Sequence, residues 1–297
     1  MNIEIAKILD HLSTYKYGIL YSDGLFVSDK DEMQKRDGTD IIVQTPKMMD
    51  YHEAGMCHDA SVYLDEVLTN LKIEHKIIYI ASHIEPMLLT HSFVMMFDED
   101  VQSWVCIDAF TSENCIWSCE ECRKDMNQVI DKRIARWIED DNNGSANLSV
   151  FILDHLPVGG VGFVEWTKQV VESASEYDFN HGYSHVEYEG VGVYEALKRA
   201  ISLEEWKCIL QSEDISWLPK PPGYDYRCKS YFTMKGYKQF QQKVMPMMKN
   251  YLDKSKIIEQ YVEELEENRI VYSDEFQVII RTDIFNDKYN QFMKKYI

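Results

Sequence analysis

Positive charge is what this chain is short of. Its 297 residues carry 31 Lys and Arg against 50 Asp and Glu, a formal net charge of −19. That excludes a general basic field for a phosphate backbone, so no nucleic-acid partner is expected. Long apolar runs are missing too. No stretch approaches the ~20 residues of a membrane-spanning helix, so no membrane partner is expected. The opening residues Met1-Asn2-Ile3-Glu4-Ile5-Ala6-Lys7 place charges where a secretion signal would have its apolar centre. Seven cysteines, an odd number, without such a signal fit reduced thiols and a cytoplasmic location. No internal repeat is evident. What is present is core-forming material: 45% of the residues are hydrophobic and 12% aromatic, which argues against disorder. The length suits one large domain or two ordinary ones.

One stretch organises the rest. Gly55 precedes Cys57 by two residues, and Cys57 opens a segment with apolar residues at helical spacing: Ala60, Tyr63, Leu64, Val67, Leu68 and Leu71. A cysteine in the first helical turn faces unpaired N–H groups and the positive end of the helix dipole, which favour thiolate. A buried structural cysteine would fit the same position. The segments that follow favour a nucleophile. Lys76–Ala81 reads as a strand, Thr90–Phe97 as a second with His91 at its start, and Trp104–Phe110 as a third with Asp108 near its end. If the last two pair through the turn Asp98-Glu99-Asp100, His91 and Asp108 become cross-strand neighbours. The carboxylate can then hold one imidazole nitrogen and leave the other for Cys57, the arrangement that thiol acyl-transfer chemistry requires.

Gly55-x-Cys57 at a helix start, His91-Ser92-Phe93-Val94 on a strand and Trp104-Val105-x-Ile107-Asp108 on the next resemble the core of the transglutaminase-like superfamily, cysteine enzymes of papain-like fold. The match covers roughly residues 40–112. The resemblance implies Cys57 as nucleophile, His91 as base and Asp108 as orienter. It implies an α+β fold with an antiparallel sheet, cleavage or transfer at an amide bond of a peptide or protein, and no cofactor. Gln44 and the Cys57 backbone N–H are candidate oxyanion donors. Tyr51, His52 and His58 are candidates to face substrate, although a surface helix position is the simpler reading of Tyr51 and His52. His58 departs from the aromatic residue that many relatives carry there. A binding module that kept the fold without the chemistry is the alternative.

A second chemical pattern is Cys115-x3-Cys119-x2-Cys122, the spacing by which radical-SAM enzymes hold a four-iron cluster through three thiolates. It follows an apparent hairpin rather than opening a β/α barrel, and no Gly-Gly-Glu segment follows it. Zinc would need one more ligand, and no His follows at finger spacing. Ordinary thiols are the simpler expectation, with Ser118–Ile138 as a helix. Residues 139–145 read as a solvated turn. A catalytic domain over 1–154 and a mainly helical part over 155–297 are therefore expected.

Within the first part, helices are expected over 2–15 and from Pro46 to Glu53, with strands flanking Ser22-Asp23-Gly24 and at Leu148–Leu153. Pro157–Gly162 lacks the lysine and the spacing of a nucleotide-binding loop and reads as a loop before a helix over 163–174. His181 and His185 would share a helix face, but Gly182, Gly190 and Gly192 argue against a helix there. Ser202 with Glu205 forms a capping box. Helices are expected from Thr233 to about Asp253, over Lys256–Glu267 and over 283–296, with a hairpin at 270–280.

Overall fold

The computed structural model describes residues 3–33, 35, 36, 38–84, 87–110, 116–118, 124–140, 148–212 and 228–282. The chain forms two compact units, Met1–Ile134 with Leu148–Phe179, and Ala135–Asn147 with Asn180–Ile297.

The first unit begins with helix α1 (Ile3–Ser13), which buries Ile5, Leu9 and Leu12 along one stripe. Short strands follow: β1 (Lys16–Tyr17), β2 (Ile19–Tyr21) and β3 (Phe26–Val27). After a helical turn α2 (Lys30–Met33) comes β4 (Ile41–Val43). Thr45 caps α3 (Pro46–His52), whose proline stands in the first turn, where no N–H is needed. Then come β5 (Ala54–Gly55), α4 (Cys57–Leu71), β6 (His75–Ile84), β7 (Met87–Asp98), β8 (Ser103–Ile107), β9 (Ile116–Trp117), α5 (Met126–Asp140), β10 (Leu148–Leu153), β11 (Val161–Gly162), α6 (Phe163–Ser173) and β12 (Ser175–Tyr177).

The central sheet is antiparallel with strand order β12-β10-β6-β7-β8-β9. Its strands alternate sides. Ile77, Tyr79, Val94, Met96, Val105, Ile107, Phe151 and Leu153 share one core with the inner faces of α1 and α4. Phe93 and Cys106, which alternate with these residues, are buried outside that core. The register sets Val94 opposite Ile107, which places Asp108 diagonal to His91. The mixed helix and antiparallel sheet agree with the α+β expectation.

The second unit continues with β13 (Tyr183–Tyr188), β14 (Val191–Gly192), α7 (Val193–Ala200), α8 (Leu203–Ser212), β15 (Cys228–Thr233), α9 (Met234–Gln239), α10 (Met245–Tyr251), β16 (Ile257–Val262), β17 (Ile270–Ser273) and β18 (Gln277–Arg281). Among its described residues an antiparallel sheet accompanies the expected helices. The sheet runs β14-β13-β15-β18-β17, with β16 also paired to β13. Lys256–Glu267 is not a helix: Ile257, Glu259 and Tyr261 alternate with the more exposed Ile258 and Gln260 in a strand, Ile257–Val262, that pairs along its whole length with β13. The long helix after Thr233 is interrupted by a π turn over Phe240–Val244, just before Pro246, which has no N–H to continue the ladder.

Two further expectations are revised. The division falls after Phe179 rather than after Asp154, because β12 extends the first sheet beside β10 and α6 buries Trp166 and Val170 in the first core. The helix expected from Ser118 starts at Met126, behind Asp125, whose carboxylate accepts the Asn127 N–H. One local turn is used twice. Gly160-Val161-Gly162 and Gly190-Val191-Gly192 each put a left-handed glycine (φ 82° and 76°) before a two-residue strand and a glycine N-cap, with Glu165 or Glu195 in the first helical turn. Cys115, Cys119, Cys122 and residues 283–296 lie outside the described residues.

Candidate active site

Cys57 is the first residue of α4, and the turn that presents it is built around Asp59. The Asp59 carboxylate accepts the Met56 N–H at 2.9 Å, the Gln44 N–H at 2.7 Å and the Gln44 side-chain amide at 2.9 Å. It thereby caps the helix and ties it to the end of β4. Gly55 makes room for it: a Cβ there would stand 3.1 Å from Asp59 Oδ2 and 3.0 Å from Met49 Cε. Burial pushes the Asp59 carboxyl up to about 6, against the pull of its three donors.

The Cys57 thiol meets two imidazoles. Burial alone would raise its pKa. The charges and hydrogen bonds of His58 and His91 outweigh burial and hold it well below the ordinary thiol value. His91 is buried, and its Nε2 lies 3.0 Å from Asp108 Oδ2, which leaves Nδ1 for Cys57. Burial lowers the His91 pKa, but Asp108 and the Cys57 thiolate more than reverse this and raise it to about 10. Both shifts run in the direction that favours thiolate facing imidazolium. Asp108 also accepts a hydrogen bond from Arg133 of α5, whose guanidinium is itself buried beside Cys106.

Of the other expected residues, His58 is next to the sulfur but belongs to the core. It is 2% exposed, ringed by Tyr79, Phe163 and Trp166, with Nδ1 2.8 Å from Ser92 Oγ and Nε2 3.0 Å from Thr90 Oγ1. It fills the place of an aromatic side chain. Gln44 is fully buried, and its side-chain N–H groups go to Asp59 and to Ala54 O at 3.1 Å. It locks the turn rather than presenting an amide to a substrate. His52 holds the Gln44 carbonyl oxygen at 2.7 Å. Tyr51 is 84% exposed on α3. His181 and His185 stand apart, His185 in β13 against Ser230 O and Glu187, and His181 beside Glu263.

Sequence reasoning missed Asp59 and Arg133. Asp59 had a signal, an acidic residue three places after an N-cap. Arg133 had none, since Lys132 and Arg136 flank it in the same helix. No protein family, curated protein or solved structure matches the chain. The second unit has a cavity of about 580 Å³ lined in part by His185, Tyr194, Arg199, Lys229 and Gln277, none of which belongs to the cluster round Cys57.

Proposed function

We propose that the chain is a cysteine-dependent amide hydrolase or acyl transferase with a transglutaminase-like core. The observation that carries this is the placement of Cys57 at the first turn of α4 beside His91, whose Nε2 lies 3.0 Å from Asp108 Oδ2. The Cys57 thiolate adds to an amide carbonyl carbon, forming a C–S bond and an oxyanion. First-turn N–H groups of α4, which lack intrahelical acceptors, stabilise that oxyanion. His91 gives its proton to the amine nitrogen as the C–N bond breaks, leaving a thioester. Water or an acceptor amine then attacks, His91 takes its proton, and the thiolate is released. Asp108 holds the ring and stabilises its positive charge, while Arg133 fixes the carboxylate. The substrate is the amide of a peptide or protein, and the setting is the cytoplasm.

The engaged amide of Gln44 favours a second reading, a binding module without turnover, because one expected oxyanion donor is turned inward. The deciding experiment is the pH dependence of Cys57 alkylation by iodoacetamide, followed by mass spectrometry, in wild type and His91→Ala. An apparent pKa well below the ~8.5 of a free thiol, raised in the variant, supports the enzyme. An ordinary pKa in both overturns it and leaves the binding module.

A further inference from the structure

Three donor side chains from three elements of the first unit converge well along α4 from Cys57. Asp65 lies eight residues along that helix, roughly 12 Å by its rise. His75 opens β6, and His155 follows β10. Asp65 Oδ1 is 2.9 Å from His75 Nε2 and 3.1 Å from His155 Nδ1. The three ligand atoms all lie within 4.8 Å of one another. We infer that Asp65, His75 and His155 bind a divalent transition-metal ion of the zinc type, with a remaining position for water.

Two imidazoles and a carboxylate suit zinc, which binds them at about 2.0–2.2 Å; ligand atoms of a tetrahedral site then stand about 3.3 Å apart. The two separations from Asp65 Oδ1 need to open by only a few tenths of an ångström, and the two ring nitrogens stand within 4.8 Å of one another. The surroundings already orient the donors. His75 Nδ1 lies 2.8 Å from Ile73 O, so it donates there and turns Nε2 to Asp65. The Leu156 N–H holds Asp65 Oδ2 at 2.8 Å and leaves Oδ1 to face both rings. Such outer contacts fix the tautomer and ring angle of a metal-binding histidine. His75 and Asp65 form a buried floor, while the His155 side chain is 62% exposed and gives the ion a way in. Without metal, Asp65 Oδ1 must serve both rings and also faces Thr69 Oγ1 at 3.5 Å. A cation replaces the protons shared there and joins α4, β6 and the end of β10.

The test uses the full chain stripped with EDTA and titrated with Co²⁺, then Zn²⁺. The expected result is one equivalent of Co²⁺ with visible d–d bands and no thiolate charge-transfer band, displaced by Zn²⁺, with the unfolding midpoint raised by either metal. His155→Ala, at an exposed position that leaves the fold intact, and Asp65→Asn each remove that equivalent. No saturable binding, binding that survives His155→Ala, or a spectrum dominated by thiolate charge transfer overturns the site, the last by placing the metal on cysteines. Cys57 alkylation is read in parallel, so failure here is separable from failure of the proposed chemistry.

Discussion

Between pH 6.5 and 9.0 an unfolded chain holds histidine neutral and cysteine protonated, while the folded chain keeps the proton on His91 and leaves Cys57 ionised. The proton has moved within the pair, and its number has not changed. Linkage then fixes the sign in each window. Below 6.5 the unfolded pair binds the extra proton, so stability rises with pH. From 6.5 to 9.0 the contribution is level. Above 9.0 only the folded pair retains a proton, until His91 titrates at about 10, so stability falls. Urea unfolding across this range, wild type minus Cys57→Ala/His91→Ala, should show that rise, plateau and fall; a slope through the middle window would mean that the charges do not form one pair. Arg133 separates support from chemistry. Arg133→Met should lose about 3 kcal/mol, because it removes one partner of a buried ion pair. It should leave the Cys57 thiol depressed, whereas Asp108→Asn raises it. In urea unfolding, the double variant should cost less than the two single losses added together, since the buried charges leave together.

The elements that carry the site were legible because each announces itself locally. The apolar spacing of α4, the apolar runs of β6 to β8 and the acidic turn after Asp98 needed no distant information. What was not legible depends on partners far along the chain. β16 is followed by a glutamate-rich run that lets the whole segment pass for a helix until β13 supplies its neighbour. Asp65, His75 and His155 are separated by 10 and 80 residues, and no local pattern joins them. The glycine loop before α6 has the composition of a phosphate cradle, yet it lies against the backbone that ends β4. A Cβ at Gly159 would be 2.5 Å from Gln44 O and 2.8 Å from Gln44 C, and neither can move without disturbing the Gln44–Asp59–Met56 cap. Gly159→Ala is therefore expected to destabilise by about 2–3 kcal/mol, as overpacking does, and to raise the Cys57 alkylation pKa. Gly24→Ala is the control. Its φ is +81° with open space around it, so about 1 kcal/mol is lost and the thiol is unaffected. Equal losses, or an unchanged thiol in Gly159→Ala, would remove the loop from any role in holding the cap.

At the scale of the whole molecule, charge decides how the site is approached. Close to the sulfur, thiolate and imidazolium offset one another, as do Asp108 and Arg133. An approaching reagent therefore feels mainly the field of the remaining chain, which carries the formal charge of −19. Opposite charge steers association, and the effect fades as the Debye length shrinks to about 8 Å at physiological salt. A cationic methanethiosulfonate should thus modify Cys57 faster than an anionic one of similar size, by about tenfold at low salt. The ratio should contract towards unity as salt is added. The same field would draw basic peptides towards Cys57 ahead of acidic ones, and so gives a substrate screen its first axis. If the anionic reagent reacts as fast or faster at low salt, local positive groups outweigh the chain's net charge, and the screen should begin with acidic or neutral peptides instead.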